Sequence, residues 1–252
     1  MKKNIRIFPD SKTLNQFAAE IFIRNGTEAI QKQGRFTVAL AGGSTPKSLY
    51  RLLAGEPFKS QIEWRNVFFF FGDERNVLPV SEESNYRMAD ENLFKPLEIS
   101  TENIFRWKTE LTNAELIADK YQDSIVKFFN LVNSKFPRFD LILLGMGDDG
   151  HTASLFPHTK ALGENVRIAV ANPVEKLATV RLTLTFPALN NAANVVFLVA
   201  GENKAESLQA IIEGDGQPEK YPAQNIHPEN GSVFWLVDEN AAKMLSIFYK
   251  SE

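Results

Sequence analysis

Six short apolar runs punctuate the chain: FTVALA (36–41), NVFFFF (66–71), DLILL (140–144), RIAVA (167–171), VVFLVA (195–200) and VFWLV (233–237). Their apolarity is nearly continuous and rich in β-branched and aromatic residues, the pattern of strands covered on both faces in a parallel sheet. Between them apolar positions recur at helical spacing, as in Leu14, Phe17, Ala18 and Ile21, and in Leu116, Ile117, Tyr121, Ile125 and Phe128. Strand alternating with helix predicts a doubly wound, Rossmann-like α/β fold: a mostly parallel sheet with helices on both faces. One run differs. In KLATVRLTLTF, Ala178, Val180, Leu182 and Leu184 alternate with Thr179, Arg181, Thr183 and Thr185, so this strand presents a polar face to something. The stretch 213–225, EGDGQPEKYPAQN, reads as a surface loop.

At 252 residues the chain fits one large α/β domain spanning 1–252. With 28 basic and 31 acidic side chains interspersed, the net charge is −3, and no basic stripe marks a nucleic-acid partner. The absence of cysteine excludes disulfides, thiol nucleophiles and cysteine-based metal sites, and is compatible with a reducing cytoplasm. MKKNIRIFPD reaches Pro9 before any apolar stretch long enough for a signal peptide, and no apolar run approaches the roughly 20 residues of a membrane span. The expectation is a cytoplasmic protein without a membrane partner.

In open α/β sheets ligands bind beyond the carboxyl ends of the strands. After FTVALA come Gly42, Gly43, Ser44 and Thr45, with Pro46 at the start of a helical pattern. Free N–H groups and the helix dipole make such a turn a candidate phosphate cradle, with Ser44 and Thr45 offering hydroxyls and caps; an ordinary capped turn reads the same way. After the second run stand Asp73, Glu74 and Arg75. The arginine suits an anionic substrate or a developing oxyanion, and Asp73 suits substrate hydroxyls or a hold on Arg75. Asn85, in the following turn, reads as a helix cap. After the third run comes GMGDDGHTASLFP. Gly145, Gly147 and Gly150 satisfy G-x-G-x-x-G, but Asp148 and Asp149 crowd the place of a pyrophosphate and no acidic residue follows at the right distance. No metal-ligand spacing is recognisable either. His151 suits proton transfer near neutral pH, with Asp149 placed to orient its ring or stabilise its protonated form. Arg181 on the polar strand, and Lys204 at a helix start where it opposes the macrodipole, complete a phosphate clamp with the glycine turn.

Taken in order, AGGSTPKSLY, FFGDERNVLPVSEESNY, DLILLGMGDDGHTASLFP, RLTLTFPALNNA and GENKA resemble the 6-phosphogluconolactonase family, from about position 36 to 240. The resemblance implies hydrolysis of 6-phosphoglucono-1,5-lactone to 6-phosphogluconate, in the oxidative pentose phosphate pathway, without a cofactor or metal. The related glucosamine-6-phosphate deaminases carry a glutamate after the shared Asp-Gly-His. Here Leu155, Phe156 and Pro157 stand there, and Phe156 cannot move a proton. On this reading Gly42, Gly43, Ser44, Thr45, Asp73, Arg181 and Lys204 bind a small sugar phosphate, while His151, Arg75 and Asp149 carry the chemistry. A non-catalytic sugar-phosphate sensor is the other alternative, and a monomer is the expected state.

Overall fold

In the computed structural model, residues 4–132 and 135–246 are described. The elements follow as β1 (Asn4–Phe8), α1 (Ser11–Gln33), β2 (Phe36–Leu40), α2 (Ser44–Leu53), β3 (Val67–Phe71), β4 (Asp73–Arg75), α3 (Asn85–Ala89) and α4 (Ala114–Phe129), then β5 (Leu141–Leu144), β6 (Ala169–Val174), β7 (Thr179–Leu184), α5 (Phe186–Asn190), β8 (Asn194–Val199), α6 (Ala205–Ile212) and β9 (Ser232–Asp238). The long helices begin and end where side chains can serve the orphan backbone groups. Asp10 accepts from the Thr13 N–H at the start of α1, and Gly34 closes it in the left-handed region; Asn113 and Asn130 play the same parts for α4. Among the described residues no helix is long and apolar enough to cross a membrane.

Six strands form one all-parallel sheet in the order β1-β9-β8-β5-β2-β3. Its aromatic strand shows why both faces are covered. Phe68 and Phe70 meet Phe128 of α4 on one face, at 5.0 and 5.2 Å between ring centroids, while Phe69 meets Trp64 and Phe94 on the other, where Phe22 of α1 also packs. Sequence reading missed β1, whose NIRIF is only half buried at the sheet's edge. It also put RIAVA in the wrong sheet. That segment forms β6, which pairs antiparallel with β7, and β7 with β4, in a separate sheet of three strands. Buried antiparallel strands can be as apolar as parallel ones, so composition does not separate the two. The alternating strand is β7. Its polar face receives the chain after β5: Thr183 Oγ1 accepts from the Ser154 N–H at 3.2 Å.

Chain order reverses between β2 and β5: β3 continues outward on one side, β8 and β9 on the other. The carboxyl ends of β8, β5, β2 and β3 therefore stand in a row at the crevice where such sheets bind ligands. Two of these ends are closed by phenols. The Tyr50 hydroxyl accepts from the Ala41 N–H (3.1 Å) and donates to the Ala41 carbonyl (2.7 Å). The Tyr121 hydroxyl does the same for Phe71, at 2.8 and 2.9 Å. Both tyrosines are fully enclosed, and burial pushes both phenols up from their ordinary value.

Phe70 is completely buried and touches Phe105 (4.6 Å), Phe128, Phe129 and Phe139. Phe70→Ala is expected to cost about 3–5 kcal/mol through lost transfer energy and a residual cavity. Urea denaturation measures it as a lowered midpoint at unchanged slope; a loss under about 1 kcal/mol would contradict the packing described.

Candidate active site

The loops that leave the row of strand ends surround a cavity of about 370 Å³. Gly42 and Gly43 line it from β2, Gly72, Asp73 and Arg75 from β3 and β4, and Gly145 to Asp149 with His151 from β5; Lys176, Arg181 and Lys204 complete the wall. Two glycines are there for space. A Cβ on Gly147 would stand 2.1 Å from His151 Nδ1, and one on Gly42 would stand 2.0 Å from Asn85 Oδ1. The loop after β5 is drawn tight by the Gly147 N–H on the His151 carbonyl (2.8 Å) and by the Thr152 hydroxyl on the Gly145 carbonyl (2.9 Å).

His151 projects from that loop. Asp149 Oδ1 accepts from its main-chain N–H at 3.1 Å and lies 2.5 Å from Nδ1. A carboxylate at Nδ1 fixes the neutral tautomer with the proton on that nitrogen and leaves Nε2 as an open acceptor. Phe156 stacks on the ring, centroids 4.0 Å apart. Burial pushes the imidazole down, to about 4; Lys204 and Arg181 push the same way, against the pull of Asp73 and Asp148. At neutral pH His151 is an uncharged base.

Besides Lys176, three cations face the same space. Arg75 and Arg181 are directly opposite one another in the antiparallel β4–β7 pair. Arg75 donates one N–H to the Glu83 carbonyl (2.6 Å), whereas Arg181 Nε is buried with no hydrogen-bond partner. Burial and the adjacent Arg75 push the Arg181 guanidinium below its ordinary value. Among the described residues none of Arg75, Arg181 and Lys204 forms an ion pair with a carboxylate. Like charges gathered in a half-buried wall without counter-ions are destabilising until an anion arrives.

The structure thus brings His151, Asp149, Arg75, Arg181, Lys204, Gly42, Gly43 and Asp73 around one cavity, and it corrects several of the other expectations. Ser44 and Thr45 line a neighbouring cavity of about 230 Å³, with Ser11, Asn15 and Gly201. The helix begins at Ser44 with Gly43 as its cap, so these residues already turn about the helix axis; neither caps it, and Pro46 sits in its third position, not its first. Nor does Asp73 hold Arg75. Its carboxylate accepts from the Ser154 hydroxyl (2.6 Å) and from Asn85 Nδ2 (3.3 Å). Asn85 is not the helix cap: Ser84 caps α3, and Asn85 turns inward to Asp73. Glu74, almost wholly buried, accepts from the N–H groups of Arg75, Asn85 and Tyr86 and thereby ties β4 to α3. No helix follows Gly150, so the G-x-G-x-x-G spacing has no helix N-terminus to offer a pyrophosphate. Sequence reasoning missed Lys176, which bonds Asp149 Oδ2, and Ser154. Their only signals were a charge in the turn before the polar strand and a serine inside the histidine motif.

A family model described as glucosamine-6-phosphate isomerases/6-phosphogluconolactonase matches residues 9–235. The chain belongs to this family. It is 39% identical over 247 residues to a 6-phosphogluconolactonase of Nostoc sp., covering 98% of this chain and all of that one. It is 43% identical over 220 residues to a 6-phosphogluconolactonase of Synechocystis sp., covering 87% and 88%. Among solved structures it superposes on 6-phosphogluconolactonase from Trypanosoma cruzi with a TM-score of 0.84 at 28% identity, covering 97% of each chain.

Because burial holds His151 near 4 in the folded chain, against 6.5 ordinarily, the unfolded chain binds more protons between those values. Folding stability therefore falls as pH is lowered through that window, by up to roughly 3 kcal/mol from this residue. Urea denaturation of the wild type and His151→Gln at about pH 7 and about pH 4.5 is expected to show a larger acid loss in the wild type. Equal losses would mean that the imidazole is not held neutral.

Proposed function

We propose that the protein hydrolyses 6-phospho-D-glucono-1,5-lactone to 6-phospho-D-gluconate, the second step of the oxidative pentose phosphate pathway. One observation carries the reading: an uncharged histidine, its Nδ1 held by a carboxylate, shares a cavity with three cations that lack carboxylate partners. That combination suits a substrate with a phosphate at one end and an electrophilic carbon at the other.

Lys204, Arg181 and the main-chain N–H groups of the Gly42-Gly43 turn take the 6-phosphate. This anchor brings C1 of the lactone beside His151. Nε2 accepts a proton from water as its oxygen bonds to C1, and Arg75 stabilises the negative charge that develops on the carbonyl oxygen. When the tetrahedral intermediate collapses, the bond from C1 to the ring oxygen breaks and Nε2 returns its proton to that oxygen; the acid formed then ionises to water. Asp149 keeps the proton on Nδ1 throughout. Asp73 receives a substrate hydroxyl beside the Ser154 and Asn85 bonds it already accepts. No step calls for a metal or cofactor. On this reading the enzyme is a single-domain monomer, and the cysteine-free composition is compatible with the cytoplasm. Phe156, stacked flat on His151, offers no second proton carrier for opening an amino sugar, which disfavours the deaminase alternative.

The test supplies freshly made 6-phosphogluconolactone, follows 6-phosphogluconate through its dehydrogenase, subtracts spontaneous ring opening, and offers glucosamine 6-phosphate in parallel. Turnover of the lactone without ammonia release is expected; ammonia release or mere binding would overturn the reading. His151→Gln is expected to lower kcat by about 10²–10⁴-fold. Arg181→Ala is expected to act mainly through a raised KM, and an unchanged KM would remove Arg181 from the phosphate clamp.

A further inference from the structure

Lys176 lies in the short helical turn Glu175–Leu177 between β6 and β7, and its side chain is half exposed at the cavity rim. Its ammonium donates to Asp149 Oδ2, the oxygen that His151 does not use, and stands over the Phe156 ring, 5.1 Å from the centroid. The opposite partner of Phe156 is the His151 ring, and His151 Nδ1 returns to Asp149 Oδ1. Four side chains thus close a ring of contacts. Three come from the loop after β5, and Lys176 alone comes from the other sheet.

We propose that Lys176 is a positioning residue for the hydrolytic reaction: by fixing Asp149 Oδ2 it turns Oδ1 onto Nδ1 of His151 and weakens the carboxylate's hold on a proton there. The inference rests on the hydrolytic reading for its kinetic consequence, and on geometry alone for its effect on the imidazole. A carboxylate free to rotate about its Cβ–Cγ bond would leave the ring able to turn, and without its cation it would stabilise the imidazolium more strongly. His151 would then remain protonated at higher pH and lose its acceptor. The other charged groups around the ring are Asp148 on its own loop, Asp73 from β4, Arg181 from β7 and Lys204 ahead of α6, all of which a substitution at 176 leaves in place. Lys176 leads into the strand that carries Arg181, so one hairpin supplies both the proposed anion clamp and the grip on the base.

The test compares wild type, Lys176→Met and Lys176→Arg. The imidazole titration of His151 is followed by ¹⁵N-edited NMR, with His151→Gln assigning its signals against His158 and His227. Lys176→Met is expected to move the His151 titration and the acid limb of kcat/KM to higher pH. It should lower kcat by about tenfold, part of the ~10²–10⁴ that a positioned base contributes, and Lys176→Arg should restore most of both. An unmoved titration in Lys176→Met overturns the proposal. So does a loss of folded protein that the arginine variant repairs while the titration stays in place, which is a merely structural role. If the wild type does not hydrolyse the lactone, the hydrolytic reading fails, while the titration still decides whether Lys176 governs His151.

Discussion

Main-chain groups that leave a sheet inside a protein must find partners, and this constraint shapes the whole reactive end of the molecule. Parallel strands stop at different depths, and β3 has no neighbour on its outer side within the sheet. Its outward carbonyl at Phe69 accepts from the Phe105 N–H, and both outward groups of Phe71 are met by one phenol. Just past the end of the adjacent strand, β2, Ala41 is met by another. A hydroxyl can accept and donate at once, so a single tyrosine satisfies a complete peptide pair without a further strand. The glycine turn and the Asp73 loop begin right after these two closed ends. Their positions are fixed by hydrogen bonds at the cavity floor, which Ala41 itself lines.

Above that floor the charges are arranged unequally. Three of the carboxylates are occupied: Asp73 by Ser154 and Asn85, Asp149 by His151 and Lys176, and Glu74 by three N–H groups. The clamp cations are not. Positive charge without a counter-ion raises the local affinity for an anion. The same cations add to the burial that keeps the nearby imidazole from taking a proton, so substrate capture rests on charge and the readiness of the base first on enclosure.

The strand runs and the glycine and histidine motifs were legible because they are local: five or six apolar residues, then a turn whose chemistry is written in consecutive letters. What was not legible depends on partners distant in the chain. RIAVA reads as any buried strand until the pairing of β6 with β7 puts it in the smaller sheet. Asn85 reads as a cap until Ser84 is found doing that work, and Asp73 reads as a partner for the arginine two residues on until Ser154, 81 positions away, takes it. Ser44 and Thr45 belong to the right turn, yet the helix starts so early that they face the adjoining cavity. Lys176 was invisible for the same reason. A lone lysine in a turn is ordinary until the fold sets it against Asp149.

The phenol that closes β3 is itself stacked, at 3.9 Å, on Trp107, a fully buried indole whose N–H has no hydrogen-bond partner. With only three tryptophans in the chain, this places an intrinsic fluorophore in a buried setting one side chain removed from the strand that delivers Asp73. Its emission is therefore an optical gauge of whether that strand end is intact, readable without any label and without turnover.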